Sequence, residues 1–385
     1  MAHSPTDFLK TASKTAEHYG FRTAEQLRKA PECQDCTVTL PHTPEAKHRL
    51  DTAGTRFLEN VAMFCNEKLH ALRAPVLLYN HHETPENDEV AVSFSIFNVE
   101  KSIAEAILIQ ASRALLSDLG YPEHLVRINS LGDTESLTRY SREIGNFLKR
   151  RLDAMPADAR ELMKEHPLLA LSHLVAVGHD LAYRSPNPLE YLSDQSRKHF
   201  REIVEYLDMS DTPYEIDPKM LGAHECCSDA LFTINAVGDT DVPISVRGGR
   251  FNDLVYKITK SRTPASAAII TLRGAKLPSR VPRPKEQTPA VYVVQLGFGP
   301  KVRSLMLIDR LRAANIPVFH DLTSDSLSGQ LRDAEARSVR YTIIVGQKEF
   351  VEGSVILRDM NARNQEHVPL DALVKKLKRH VVVAA

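Results

Sequence analysis

The chain has 385 residues, 43% apolar and 25% charged, and its 49 basic side chains balance 49 acidic ones. A neutral total charge excludes recruitment to nucleic acid or membrane by bulk field, so any such contact needs a local patch. No run of 18 apolar residues is present, which excludes a membrane-spanning helix, and the length allows two or three domains with cores of their own. The opening segment Met1–Asp7 has no basic stretch followed by an apolar run, so no secretion leader is expected. Five cysteines in so long a chain make no disulfide framework, and they fit a reducing, cytoplasmic setting.

In chain order, residues 6–18 form a short amphipathic helix that stops near Gly20. Residues 22–52 give no clear pattern. A helix is expected over 53–71, with Phe57, Val61, Phe64 and Leu69 on one stripe. Pro75–Tyr79 and Val90–Val99 read as strands, with His81–Asp88 as the polar turn between them. A long helix follows over 100–119, then a strand at Leu125–Ile128. Residues 134–209 are helical and charged, broken by Pro156, Pro167, Pro186 and Pro188. Strands return at Tyr214–Ile216, Ala230–Val237, Val242–Val246 and Ala265–Leu272, with a helix at 251–260 after a Gly248-Gly249-Arg250 turn. Residues 279–289 are proline-rich and almost free of apolar side chains, which marks a semi-rigid linker between a first unit, 1–278, and a second, 290–385. Beyond it, strands at Val291–Leu296, Pro317–His320, Tyr341–Val345 and Ser354–Leu357 alternate with helices at Val302–Ala314, Ser326–Arg337 and Leu370–Lys378. That alternation predicts a mostly parallel sheet covered on both sides.

Four groups of residues can carry chemistry. Cys33-x-x-Cys36 and His224-x-Cys226-Cys227 can together supply four ligands to tetrahedral zinc. The second half lacks a standard spacing, and free thiols are the plainer reading. His81-His82-Glu83 resembles a metal or acid/base cluster, although a solvated polar turn accounts for it as well. Gly248-Gly249-Arg250 suits a phosphate or nucleotide edge, or equally a turn that serves the sheet while Arg250 makes a structural ion pair. Lys375, Lys376, Lys378 and Arg379 form a basic run that can meet RNA phosphate or simply be a solvated face closing a helix dipole. From Pro289 onward there are 14 basic and 10 acidic residues, too small a surplus to decide between these by charge.

Several segments resemble the histidyl-tRNA synthetase family, a class II group. In the second unit these are Val291–Val294, Leu311–Val318, Gly329–Ala334, Ile344–Gly346, Glu352–Val355 and Gln365–Asp371, which follow the order of that family's anticodon-binding domain. Upstream, Ile128–Gly132, Arg139-Tyr140, His166–Leu168, Tyr191–Phe200, Tyr214–Pro218 and Gly248–Val255 continue the likeness, which spans roughly residues 50–378. The resemblance implies an antiparallel class II core with a helical insertion over 134–209, an α/β anticodon-binding-like domain, dimerisation through the core and contact with tRNA.

The same resemblance locates the substrate clamps, and many are replaced. Asn80-His81-His82-Glu83-Thr84-Pro85 stands where the family has Phe-Arg-Tyr-Glu-Arg-Pro, so the arginine that holds the ATP α-phosphate falls on His81 and the second arginine on Thr84. The glutamate that holds the substrate amino group falls on Ala53. The signature arginine falls on Gly222 and its two tyrosines on Cys226 and Cys227, in a segment that also holds Glu225. An acid after Gly248-Gly249-Arg250 has become Asn252, and Arg273 is one residue early for the last motif arginine. A guanidinium brings permanent charge and a two-pronged donor; neutral imidazole and hydroxyl bring neither.

The expectation is therefore a synthetase-like protein that does not make histidyl-adenylate. His81, Glu83, Glu225 and Arg250 would be remnants of its pocket, and Gly248, Gly249 and Arg250 a residual nucleotide edge. RNA would meet Arg332, Lys375, Lys376 and Lys378, or the chain would regulate a partner enzyme. Zinc is a candidate cofactor on Cys33, Cys36, Cys226 and Cys227. The alternative is an active ATP-dependent histidine–tRNA ligase, or a related adenylating ligase, with a remodelled pocket.

Overall fold

The computed structural model describes residues 4–28, 52–72, 74–84, 88–222, 228–237, 243–276, 278 and 289–381. Helix α1 (Pro5–His18) starts at Ser4, whose hydroxyl accepts from the Asp7 N–H, and it buries Phe8, Leu9, Ala12 and Ala16. After α2 (Ala24–Arg28) and α3 (Thr52–Asn66) come the paired strands β1 (Val76–Thr84) and β2 (Glu89–Phe97). Next are α4 (Ile103–Asp118) and β3 (His124–Gly132). A helical excursion then occupies α5 (Thr134–Lys149), α6 (Ala157–Glu165), α7 (Pro167–Ala176), α8 (Asp180–Tyr183) and α9 (Asp194–Met209). The chain returns through β4 (Tyr214–Ile216), β5 (Ser228–Ala236), β6 (Ile244–Arg250), α10 (Asn252–Thr259) and β7 (Ala265–Arg273).

These strands form one seven-stranded sheet in the order β1-β2-β7-β6-β5-β3-β4, antiparallel except for the β3–β4 pair. Alternation along each strand sends neighbouring side chains to opposite faces. Val90, Val92, Phe94 and Ile96 face the side covered by α1 and α4. Ala91 and Phe97 face the side covered by α3 and α10, where Phe57, Phe64, Phe251 and Leu254 pack.

The C-terminal unit comprises β8 (Val291–Gln295), α11 (Phe298–Ala313), β9 (Val318–His320), α12 (Leu327–Ala336), β10 (Tyr341–Val345), α13 (Gln347–Glu352), β11 (Ser354–Asp359), β12 (Asn364–Pro369) and α14 (Leu370–Val381). Its sheet runs β12-β11-β10-β8-β9. The β8–β9 and β8–β10 pairs are parallel, but β10–β11 and β11–β12 are antiparallel, so the expected mostly parallel sheet is in fact mixed. The reason is β12. Its residues are exposed except Val368, so no apolar alternation announces the strand, and β11 turns straight back into it.

Both units share one hydrophobic cluster, from Phe8 and Ile107 to Val293, Ile308 and Leu377. Helix α1 acts as the wedge between them. Lys14 donates to Asn315, Tyr19 to Asp309, and His18 Nε2 lies 2.9 Å from the Ile308 carbonyl oxygen.

Three histidines along this wedge are held neutral. Burial pushes His18 and His81 down to about 4 and His320 to about 3. A histidine whose folded pKa lies below its unfolded value binds fewer protons folded than unfolded. Stability is then full above pH 6.5 and is lost as pH falls toward the folded pKa. About 6 kcal/mol should be lost in total between pH 7.5 and pH 5. Urea midpoints at the two pH values measure this, and equal midpoints would contradict the neutral state of these rings.

Candidate functional site

The hairpin of β1 and β2 is longer than its polar residues suggest. His81 and His82 pair in register with Val92 and Ala91, so they belong to the strand and not to a turn. Consecutive strand residues face opposite ways. His81 points to the α1 side, 3.3 Å from the Ser13 hydroxyl and edge-on to the Tyr79 ring. His82 points to the α3 side and is buried.

On that side His82 enters a closed polar network. Its Nδ1 lies 2.6 Å from Glu59 Oε2 and its Nε2 lies 2.7 Å from Ser93 Oγ. Asn60 bridges Ser93 and Ser95 at 2.9 Å each, and Arg56 donates to both Glu59 oxygens. Burial holds the His82 pKa down against the pull of Glu59. Burial pushes the Glu59 carboxyl up, but bonds and charge from His82 and Arg56 outweigh it and leave it lowered. Carboxylate, imidazole and hydroxyl in this order match a nucleophilic triad. Ser93, however, is fully buried in mid-strand, so the network fastens α3 to the hairpin and offers no nucleophile to solvent.

The opposite face holds a second network. Glu105, in α4, is 0% exposed and accepts from Arg250 Nε at 2.8 Å, Arg250 Nη2 at 3.0 Å and the Ser266 hydroxyl at 2.8 Å. The remaining Arg250 donors reach the carbonyls of Val99 and Lys101. Gly248-Gly249-Arg250 is thus no turn: it is the end of β6, paired with β5 and β7. A Cβ on Gly248 would lie 2.3 Å from Phe232 Cζ and 2.7 Å from the Ala267 carbonyl oxygen, and one on Gly249 2.7 Å from the Ala230 carbonyl oxygen. The two glycines let three strands close over Phe232, and the guanidinium is committed to the core. Of the two readings of this segment, the structural ion pair is the one that the Arg250–Glu105 contact fits. Gly248→Ala should cost about 1–3 kcal/mol by overpacking, read as a lowered urea midpoint with an unchanged slope.

Among the described residues, His81 and Arg250 of the expected remnant pocket do not come together. From Arg250 the ladder steps through Ser266 and Ile96 to Leu77, and His81 lies four residues further along β1. Three strand spacings and four residues separate His81 from Arg250 by on the order of 20 Å. Glu83 and Thr84 lie at the end of β1. Gly222 is exposed at φ +57, and Asn252 opens α10 with its side-chain oxygen accepting from Ala265 N–H. Glu225, His224 and the candidate zinc ligands Cys33, Cys36, Cys226 and Cys227 lie outside the described residues. Among the described residues no group of three or more His, Cys, Asp or Glu is placed to hold a metal ion.

The basic residues divide between two faces of the smaller sheet. Helix α14 turns Leu370, Leu373 and Leu377 to the shared core and leaves Lys375, Lys378 and Arg379 exposed, while Lys376 is paired with Glu366. Arg332 is exposed on α12, which packs Ala334 against Tyr292 and Val294 on the other face. Arg332 therefore does not extend the patch on α14.

Sequence reasoning missed the His82 network, and for Arg250 it held open a structural ion pair without finding Glu105 as the partner. A faint signal existed: Ser93 and Ser95 sit two apart in an otherwise apolar strand, and Glu105 interrupts Ile-Ala-Glu-Ala-Ile-Leu-Ile in α4.

Residues 291–380 match the anticodon binding domain family. A histidine–tRNA ligase of Geobacillus sp. (strain WCH70) is 27% identical over 282 residues, 72% of this chain and 67% of that protein. One from Halalkalibacterium halodurans is 28% identical over 269 residues, 69% and 63%. Another from Shouchella clausii is 26% identical over 337 residues, 83% and 79%. Residues 291–380 belong to the anticodon binding domain family, and the chain as a whole is similar to histidyl-tRNA synthetases. The match spans about two thirds of the length of the first two of these histidine–tRNA ligases. A solved apo histidyl-tRNA synthetase from S. aureus overlays with a TM-score of 0.45 at 18% identity, covering 83% of this chain and 81% of that one. This histidyl-tRNA synthetase-like chain thus combines an antiparallel core, a helical insertion between β3 and β4, and an anticodon-binding domain.

Proposed function

We propose that this histidyl-tRNA synthetase-like protein binds tRNA or another RNA through its C-terminal domain and does not form histidyl-adenylate. The observation that carries the second half is His81. It stands where the resemblance puts the phosphate-clamping arginine, and burial holds its ring at about 4, so it is uncharged at neutral pH. Arg250, the one arginine among the candidate pocket residues, is consumed by Glu105. The first half is supported by the anticodon binding domain match over residues 291–380 and by the exposed Lys375, Lys378 and Arg379 on α14.

The chain acts as a homodimer through its core, as the family resemblance implies, and light scattering on the purified protein measures this. Filter binding with total tRNA tests the RNA contact. Binding should weaken steeply with salt, and Lys375→Glu with Lys378→Glu should lower affinity about tenfold or more at low salt. Retained affinity in that double variant would move the contact elsewhere, and no binding of any tRNA would end the proposal. The competing reading, an active ligase with a remodelled pocket, is supported by the relatives' own designation as histidine–tRNA ligases.

A further inference from the structure

A cleft of ≈ 540 Å³ opens where α4 and α9 of the core meet α11 of the C-terminal unit. Three ammonium groups from three segments line it: Lys101 ahead of α4, Lys198 on α9 and Lys301 in the first turn of α11. The Lys301 side chain is only 5% exposed, and burial together with the Lys101 charge pushes its pKa down to about 8. Its counter-ion is Asp325 at 2.5 Å, and the other oxygen of the same carboxylate bridges Lys101. Two cations thus share one carboxylate, which is itself 49% exposed. Lys198 makes no hydrogen bond or ion pair among the described residues.

The other acids do little to cancel this charge. Glu202 accepts the Ser102 hydroxyl at 2.6 Å, and Glu100 is exposed at the edge. Because Ser102 spends its hydroxyl on Glu202, the start of α4 has no side-chain cap, and Gly297 gives α11 none either. Both helix starts reach the cleft, with Ile103 and Phe298 in its wall, so their dipoles add to the lysines. His199 sits between the cleft and buried Glu105, 3.3 Å away. Phe298 also packs its ring, tilted at 39°, 4.5 Å from the Tyr206 ring, on the wall where α11 begins.

We propose that this cleft binds a small phosphate-bearing molecule on Lys101, Lys198 and Lys301, with Asp325 competing as an internal anion for two of the same groups. The assignment does not rest on RNA binding or on the fate of the adenylation pocket. An anion that reached the cleft would add a partner for Lys198 and replace Asp325 on the buried lysine. It would also tie the core to the C-terminal unit, because its ligands come from both.

Calorimetric titration of the full chain with inorganic pyrophosphate tests this, using Lys198→Ala and Asp325→Asn as paired variants. Melting curves first confirm that both fold. Pyrophosphate is expected to bind the unaltered chain, to bind Lys198→Ala about tenfold more weakly, and to bind Asp325→Asn several-fold more tightly. The opposite signs matter, since a merely structural Asp325 would not improve binding when removed. No heat up to about 10 mM pyrophosphate, or binding that neither variant changes, overturns the proposal. If only tRNA binding responds to the two variants, the cleft belongs to a nucleic-acid contact and the small-molecule assignment is wrong.

Discussion

The purified chain is expected to show no histidine-dependent exchange of pyrophosphate into ATP. Adenylate formation depends on cationic groups preset around the α-phosphate, because charge spreads there in the transition state. Removing one such preset donor costs about 10²–10³ in rate. The resemblance puts two arginine positions of the family's motif on His81 and Thr84, and the signature arginine on Gly222. The one of these that could regain charge, His81, is held neutral at about 4. Two lost clamps alone predict exchange slower by about 10⁴–10⁶ than in an active member of the family under the same conditions. His81→Arg alone should not restore it, since the side chain would face α1 and Ser13, with Gly222 still in place of the signature arginine. Exchange within tenfold of an active ligase, with histidine or any other amino acid, would establish the remodelled-pocket reading instead.

Glu105→Gln is expected to cost about 3–5 kcal/mol of stability, the typical result of leaving a buried charge without its partner. Burial alone would raise the Glu105 carboxyl, but Arg250 and His199 hold it well below the usual carboxylate range. It is therefore ionised at every pH where the fold is stable, and its contribution is lost only in strong acid. Arg250→Met should do similar damage, whereas Glu105→Leu with Arg250→Met should recover part of it, because an apolar pair leaves no orphaned charge. Urea unfolding followed by circular dichroism gives all three numbers. A Glu105→Gln variant within 1 kcal/mol of the parent (a small surface-type effect) would mean that Arg250 has another partner. The outcome also bears on family-level reading: a Gly-Gly-Arg segment kept for packing says nothing about nucleotide binding.

Much of the large sheet was legible because its strands carry local signals. Val-Leu-Leu at 76–78 and the apolar run of β7 mark buried strands wherever they fold. The hairpin end was not, because His81-His82-Glu83 looks like turn chemistry while the backbone keeps pairing to Thr84. Polar residues survive in that strand only because α3 brings Glu59 and Asn60 to meet His82 and Ser93, a contact across 23 to 33 residues of chain. β12 failed for the converse reason: an exposed edge strand needs no apolar pattern.

The sequence by itself carried the likeness to histidyl-tRNA synthetases and the residues on which the proposed loss of the clamps rests, since each depends on residue identity at a given place along the chain. It also fixed which residues could be charged. Only the tertiary structure decided which of them are. Strand alternation separated His81 from His82, burial removed the charge from the first, and packing of α4 against β6 drew Arg250 into the core. The same packing of α11 against α4 and α9 gathered Lys101, Lys198 and Lys301 from positions about 100 residues apart in sequence into one cleft. Charge in a protein is set by solvation and partners, and those are properties of the fold.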